Sequence, residues 1–146
     1  MRNWFLIVAL LSFPAFGVEG LIAVKSAYGA KETMDRLESA LKQKGLNVFA
    51  RIDHAAGAAK IGKQLRPTEL LIFGNPQGGT PFMECGQTVG IDLPLKALVW
   101  QDESGQVWLA YNDPQFLEKR HGIRQCGEAA QRIRSNLEAL ARQAAQ

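Results

Sequence analysis

Residues 70–100 restrict the possible folds of this chain more than any other segment. Two apolar runs, residues 70–73 and 93–100, flank a middle that is rich in glycine, proline and asparagine. Short apolar runs bounded by turn residues are typical of buried strands. The segment therefore predicts two strands joined by sharply turning backbone, with a pocket where the turns meet the strand ends.

The rest of the chain adds strands before this segment and helices at both ends. Strands are predicted at residues 21–28, 46–53, 69–73, 93–100 and 106–111. Helices are predicted at residues 30–44, after Asp53, from Thr80-Pro81, from Pro114 to Arg120, and at residues 127–143. Helices at the ends and a mostly antiparallel sheet in the middle define an α+β domain.

The strand at residues 46–53 alternates between apolar and other residues, which predicts one face on the core. The predicted core set is Leu46, Val48, Ala50 and Ile52. The intervening residues, which include Phe49 and Arg51, are predicted to point away from the core.

The N-terminus has the pattern of a secretory signal. A basic start at Arg2 precedes an apolar run, and small residues follow at Ala15 and Gly17. Residues 1–20 are therefore predicted as a signal peptide, cleaved before Val18 or Leu21, with an uncleaved anchor as the alternative. Residues 21–146 would form one periplasmic or secreted domain, without stable membrane insertion after cleavage.

The charge balance indicates no nucleic-acid partner. The 146-residue chain has 17 basic and 14 acidic residues, for a net charge of +3. The basic residues are spread among acidic ones rather than clustered, so the electrostatic footprint of a nucleic-acid-binding protein is missing.

If the chain is exported, Cys85 and Cys126 are expected to lie in an oxidising compartment. Disulfides persist in oxidising compartments, and two cysteines allow one intramolecular pair. A structural bridge is predicted, with free thiols as the alternative. Two thiolates and two distant histidines do not supply the ligands of a metal site.

Several short motifs together resemble the domain of unknown function 302 family. They are DHAAG at 53–57, LRPTE at 65–69, FGNP at 73–76, GTP at 79–81, IDLPLK at 91–96 and YNDP at 111–114. The resemblance covers about residues 21–122 and weakens in the C-terminal tail. It implies a TATA-box-binding-protein-like fold in strand–helix–four-strand–helix order, with the helices packed on one face, and it implies a homodimer. It implies no reaction, and the cofactor is unknown.

The candidate residues His54 and Asn75 lie at predicted strand ends, and the candidate cations lie in or beside predicted strands. His54 would serve as a general acid/base or ligand contact, or would only hydrogen-bond local backbone. Asn75 would donate to a ligand beside Gly74, or would only start a turn. Lys25, Arg66 and Lys96 would together hold a small anionic ligand, or one of them would pair with an acid such as Glu84 or Asp92. The strand ends are predicted to converge on one pocket beside His54.

Three functions follow from these candidates. The first is an exported small-ligand-binding or accessory module, expected to be dimeric. The second is a small enzyme in which Asp53 or Glu84 orients His54. The third is a structural or interaction dimer without a ligand.

Overall fold

The computed structural model describes residues 17–146, so residues 1–16 of the predicted signal lie outside the described residues. The strands are β1 (Leu21–Lys25), β2 (Asn47–Asp53), β3 (Thr68–Gly74), β4 (Leu95–Gln101) and β5 (Val107–Asn112). The helices are α1 (Ala30–Gln43), α2 (His54–Lys60), α3 (Pro76–Cys85), α4 (Pro114–Arg120) and α5 (Gly127–Ala145). A 3-10 turn at Gln87–Asp92 follows α3.

The five strands form one sheet in the order β1-β5-β4-β3-β2, and every neighbouring pair is antiparallel. The α+β class and the predicted strand–helix–four-strand–helix order are confirmed, with short helices inserted between strands. No helix within residues 17–146 is long and apolar enough to cross a membrane.

One face of the sheet carries the hydrophobic core. Leu71, Ala97 and Tyr111 lie opposite one another on adjacent strands and are buried. They pack in a single cluster with apolar side chains of α1 and α5. The first helix contributes Met34, Leu37 and Leu41 from one stripe, which is the spacing of an amphipathic helix.

The opposite side of the sheet, the open face, contributes no side chain to that core. Because side chains alternate along strands and direct partners share a side, the register fixes its members. They are Leu21, Ala23, Lys25, Asn47, Ala50, Ile52, Thr68, Leu70, Ile72, Gly74, Lys96, Leu98, Trp100, Trp108, Ala110 and Asn112. The two tryptophans, Trp100 and Trp108, are direct cross-strand partners and stack with ring centroids 6.4 Å apart.

The predicted alternation of residues 46–53 is wrong beyond Val48. The register shifts between Val48 and Ala50, so Phe49 is an extra residue in a bulge. A bulge inverts the sides of the residues that follow it. Ile52 therefore lies on the open face, 39% exposed, and Arg51 turns toward the helices.

The helix predicted to start at Thr80-Pro81 begins earlier, at Pro76, so the residues just after Asn75 are helical and do not form a separate turn. The Asn75 side chain caps α3 by accepting a hydrogen bond of 2.8 Å from the Gly78 amide. Pro76 occupies the first helical position, where a missing N–H costs nothing. An Asn-Pro pair is common both at the start of a turn and at the start of a helix. The sequence pattern favours the turn, whereas the structure has the helix.

The predicted disulfide is confirmed. Cys85 at the end of α3 is bonded to Cys126 at the start of α5, with a Cα–Cα distance of 5.6 Å. The bridge joins positions 41 residues apart. Closing a loop of that length stabilises the fold by about 3–4 kcal/mol in the chain-entropy account.

Arg51 ties edge strand β2 to its neighbours through ion pairs. Its Nε atom donates to Glu69 at 2.6 Å and its Nη1 atom to Asp35 at 2.6 Å and Glu38 at 3.2 Å. Hydrogen bonds from Lys31 and then Arg51 lower the pKa of Asp35. Hydrogen bonds from Lys42 and then Arg51 lower the pKa of Glu38.

We expect Arg51→Met to lower the free energy of unfolding by about 1–3 kcal/mol near pH 7, because it removes several charge-assisted hydrogen bonds at a partly exposed site. The folded pKa values of Asp35 and Glu38 lie below the ordinary 3.8 and 4.5. Their contribution is therefore present above those values and is lost as the pH falls through the folded pKa values.

Urea unfolding at pH 7, pH 5 and pH 3 checks this prediction, with Lys63→Met as the matched loss of an exposed charge. The stability gap between wild type and Arg51→Met should be similar at pH 7 and pH 5 and should narrow at pH 3. A gap that stays constant down to pH 3 would contradict the ion-pair account.

Candidate functional site

A cavity of about 750 Å³ lies at the end of the sheet where β3 finishes and β4 begins. Its walls come from the residues after α1, the start of α3, the start of β4 and the first half of α5. Two of these elements, α3 and α5, are joined by the disulfide. The cavity therefore has a covalently braced wall.

The floor of the cavity is apolar. Phe73 comes from the end of β3, and Ile133, Leu137 and Leu140 come from α5. All four side chains are buried, with exposed fractions of 7% or less. The three α5 residues fall at helical spacing, so the same stripe that packs on the sheet also lines the cavity.

The rim is polar, and its charged side chains are basic. The polar lining side chains are Lys44, Asn75, Gln77, Thr80, Arg132 and Asn136. Among the described lining residues there is no aspartate, glutamate or histidine. The cavity thus combines a buried apolar floor with a positively charged, exposed rim.

The turn that ends α1 positions the part of the cavity wall formed by Lys44 and Leu46. Gly45 adopts φ +71° after α1, the left-handed conformation that commonly ends a helix and that glycine adopts without steric cost. The Leu46 amide donates to the Leu41 carbonyl at 3.0 Å, and the Gly45 amide to the Lys42 carbonyl at 3.0 Å. This Schellman turn positions Lys44 and Leu46 at the cavity.

Phe49 completes the same wall. The bulge in β2 leaves its side chain 58% exposed, although it lines the cavity. A large exposed aromatic ring beside an apolar cavity is a feature of binding surfaces.

Asn75 and Gly74 both line the cavity, as the sequence predicted for a pocket at the end of this strand. The Oδ1 atom of Asn75 is used in capping α3. Its Nδ2 group has no hydrogen-bond partner within residues 17–146, which leaves two donors at the cavity wall.

His54 lies at the opposite end of the sheet, so the predicted convergence with Asn75 is wrong. Asn47 pairs with Gly74, whereas Asp53 pairs with Glu69, at the other end of the same two strands. With about 3.3 Å per residue, the two ends are separated by roughly 20 Å. His54 is exposed and does not line the cavity.

The reason is the antiparallel pairing itself. The end of β2 lies beside the start of β3. Residues that follow two consecutive antiparallel strands therefore lie at opposite ends of the strands. Arg66 lies at the His54 end, where its Nε atom donates to the Gln101 carbonyl at 3.2 Å. Asp53 caps α2 by accepting a hydrogen bond from the Ala56 amide at 2.8 Å, and the helix predicted after Asp53 is confirmed.

Lys96 and Glu84 also lie outside the cavity lining. The Nζ atom of Lys96 donates to the carbonyls of Pro94 at 3.0 Å and Asp92 at 3.3 Å. Glu84 is exposed on α3. The predicted site residues are thus divided between two ends of the sheet, and Gly74 and Asn75 are the ones at the cavity.

His121 lies at the end of α4 and is held by two side chains of the 3-10 turn. Its Nδ1 atom is 3.0 Å from the Thr88 hydroxyl, and its Nε2 atom is 2.5 Å from the Asp92 carboxylate. Arg120 donates to the same carboxylate at 2.8 Å. These bonds fasten the end of α4 to the 3-10 turn, a structural role.

Sequence reasoning missed Lys44, Arg132 and Asn136 as site residues. Arg132 and Asn136 are one helical turn apart on α5, next to the buried Ile133 and Leu137. That spacing could have been read from the sequence as a basic border on an apolar stripe. Which stripe lies at a cavity depends on the neighbouring elements, which the sequence does not specify.

Within residues 17–146, no group of three or more His, Cys, Asp or Glu side chains is placed to hold a metal ion. The described site therefore consists of an apolar cavity, two cations and several amide groups.

The fold and the sequence together identify the family. The family model for the domain of unknown function DUF302 matches residues 22–140, and the chain belongs to that family. A solved structure, an uncharacterized conserved DUF302 protein from Bacillus stearothermophilus, superimposes with a TM-score of 0.78 at 25% identity. The match covers 88% of this chain and 100% of that one.

The curated relatives are longer than the segment that they share with this chain. The chain is 51% identical over 104 residues to a protein named fluoride-specific ion channel FluC 1 from Brucella suis biovar 1, strain 1330. It is equally similar to FluC 2 from Brucella melitensis biotype 1. The match covers 71% of this chain but only 41% and 38% of the two relatives. The chain therefore spans about two fifths of each relative, and the activity in their names is that of the longer proteins.

Proposed function

We propose that this DUF302 domain is a small-ligand-binding module that uses the cavity between β3, α3 and α5. The observation that carries the proposal is a braced cavity with a buried apolar floor and a polar rim. Its volume of about 750 Å³ lies in the range of roughly 300–1,000 Å³ that is typical of ligand pockets.

Binding is favoured over acid–base catalysis by the chemistry of the lining. General acid–base catalysis requires a titratable group within hydrogen-bond reach of the substrate. The described cavity lining contains no histidine or carboxylate, and His54 lies at the other end of the sheet. The amides of Asn75, Gln77 and Asn136 orient a ligand without reacting with it.

We expect the fluorescent probe 8-anilinonaphthalene-1-sulfonate to bind the folded protein with one saturable site. Ala129 is buried in the cavity lining, so Ala129→Phe would place a ring in the space that the probe needs. The variant should weaken probe binding by about tenfold or more. Fluorescence titration, with folding checked by circular dichroism, gives the comparison.

Ala139→Phe is the matched control, because Ala139 is exposed on the same helix and does not line the cavity. It should bind the probe like the wild type. Unsaturable binding to the wild type, or undiminished binding to a folded Ala129→Phe variant, would contradict the proposal.

We also propose that two copies of the chain associate through the open face. Its centre is apolar, with Leu70, Ile72 and Leu98 on adjacent strands. Lys25 and Lys96 lie toward opposite ends of the face, so the charges fall at the edges. An apolar centre with a polar rim is the composition of protein interfaces, and a second copy offers the same surface in a two-fold dimer.

Leu98→Asp should convert the dimer to a monomer, because it would bury a charge at the centre of the interface. Sedimentation equilibrium at micromolar concentration measures the change. Ile61→Asp is the control, since Ile61 is 75% exposed and lies outside the open face. A monomeric wild type, or a Leu98→Asp variant that remains dimeric, would rule out this interface.

Finally, we propose that the chain is exported and processed at its N-terminus. The signal-like pattern of residues 1–17 supports this proposal, and so does a disulfide, because disulfides persist in oxidising compartments. In a bacterial host, the protein isolated from the periplasm should begin at Val18 or Leu21. Its intact mass should rise by two hydrogens on reduction; an uncleaved cytoplasmic chain with free thiols would refute the proposal.

A further inference from the structure

We infer that the ligand of the cavity is a single-chain amphiphile with an anionic head group, such as an acyl carboxylate. This inference rests on the proposed binding function and adds the chemical class of the ligand. It follows from the separation of two properties within one cavity: charge at the rim and apolar surface at the floor.

The charge at the rim has one sign. Lys44 follows α1 and Arg132 lies on α5, so the two cations approach the cavity from different elements. No carboxylate lines the cavity among the described residues to neutralise them. Neither side chain has a hydrogen-bond or ion-pair partner within residues 17–146, in contrast to Arg51 and Arg120.

The floor favours a hydrocarbon rather than a polar body. Phe73, Leu137 and Leu140 are each at most 4% exposed in the folded chain, and Met83, Leu93 and Leu95 add flexible or branched apolar surface. The polar lining groups are at the exposed rim. A sugar or nucleotide would leave its hydroxyl groups unpaired against such a floor, which is costly.

An amphiphile satisfies both parts of the cavity. Its chain would lie along the stripe of α5 that includes Ile133 and Leu137, and its head would lie at the rim between Lys44 and Arg132. The amides of Asn75 and Asn136 would donate to the head group. The chain would supply most of the affinity, and the cations would select the sign of the charge.

Three probes with the same chain separate these contributions: dodecanoate, dodecanol and dodecyltrimethylammonium. Binding is measured by displacement of 8-anilinonaphthalene-1-sulfonate below the micelle-forming concentrations. Dodecanoate should bind about fivefold more tightly than dodecanol, since exposed ion pairs contribute modestly. Dodecyltrimethylammonium should bind most weakly, and high salt should reduce the differences.

Chain length gives an independent measure of the floor. Affinity should rise by about fourfold for each added methylene between octanoate and dodecanoate, as expected for burial of hydrocarbon. An affinity that does not depend on chain length would contradict the inference.

The double variant Lys44→Glu/Arg132→Glu should reverse the order, so that the cationic probe binds best. Lys60→Glu/Lys63→Glu makes the same charge change on exposed residues outside the cavity and should preserve the wild-type order.

The negative outcomes are distinguishable. If all three probes bind equally and Ala129→Phe blocks each of them, the cavity binds ligands but the anionic head group is refuted. If 8-anilinonaphthalene-1-sulfonate binds at the cavity but none of the three probes displaces it, the amphiphile inference is refuted and the proposed binding function stands. If 8-anilinonaphthalene-1-sulfonate itself does not bind saturably, or if a folded Ala129→Phe variant binds it like the wild type, the proposed function is refuted.

Discussion

Burial of one face of an antiparallel sheet beneath α1 and α5 is the interaction on which the rest of the structure depends. The last turn of α5 is fixed against α1, where Arg36 donates to the Ala144 carbonyl at 3.0 Å. The first half of the same helix faces the cavity with Ile133 and Leu137. One apolar stripe therefore closes the core at one end and lines a ligand-sized space at the other. The disulfide from Cys126 to Cys85 then holds α3 against this end of α5.

Much of the fold was predictable because local signals agree with the tertiary structure. The five strands, the two long helices, the caps at Asp53 and Gly45, and the disulfide follow from periodicity, turn residues and cysteine count. The errors arise where one residue changes the outcome. Because Phe49 is an extra residue in a bulge, Ala50 and Ile52 lie on the opposite face of the sheet from the predicted one. The hydrophobic periodicity of the sequence contains no signal for this bulge. Likewise, Asn75-Pro76 starts a helix rather than a turn.

The candidate site was predictable only in part. Gly74 ends the buried strand β3 and Asn75 follows it, and both residues line the cavity. His54 follows the neighbouring strand β2. Because β2 and β3 are antiparallel, His54 lies at the opposite end of the strands from Asn75. Arg132 and Lys44 come from helix surfaces that look like ordinary solvated faces in the sequence. Their importance lies in the absence of an acidic neighbour in the described lining, which only the three-dimensional arrangement reveals.

The central claim is that this domain binds its ligand between α3 and α5 and not on the open face of the sheet. Chemical-shift mapping by NMR, with labelled methyl groups and titrated dodecanoate, tests it most directly. The account predicts saturable shifts at the methyl groups of Ile133, Leu137 and Leu140, with those of Leu70 and Leu98 unchanged. Shifts confined to Leu70, Ile72 and Leu98 would contradict it.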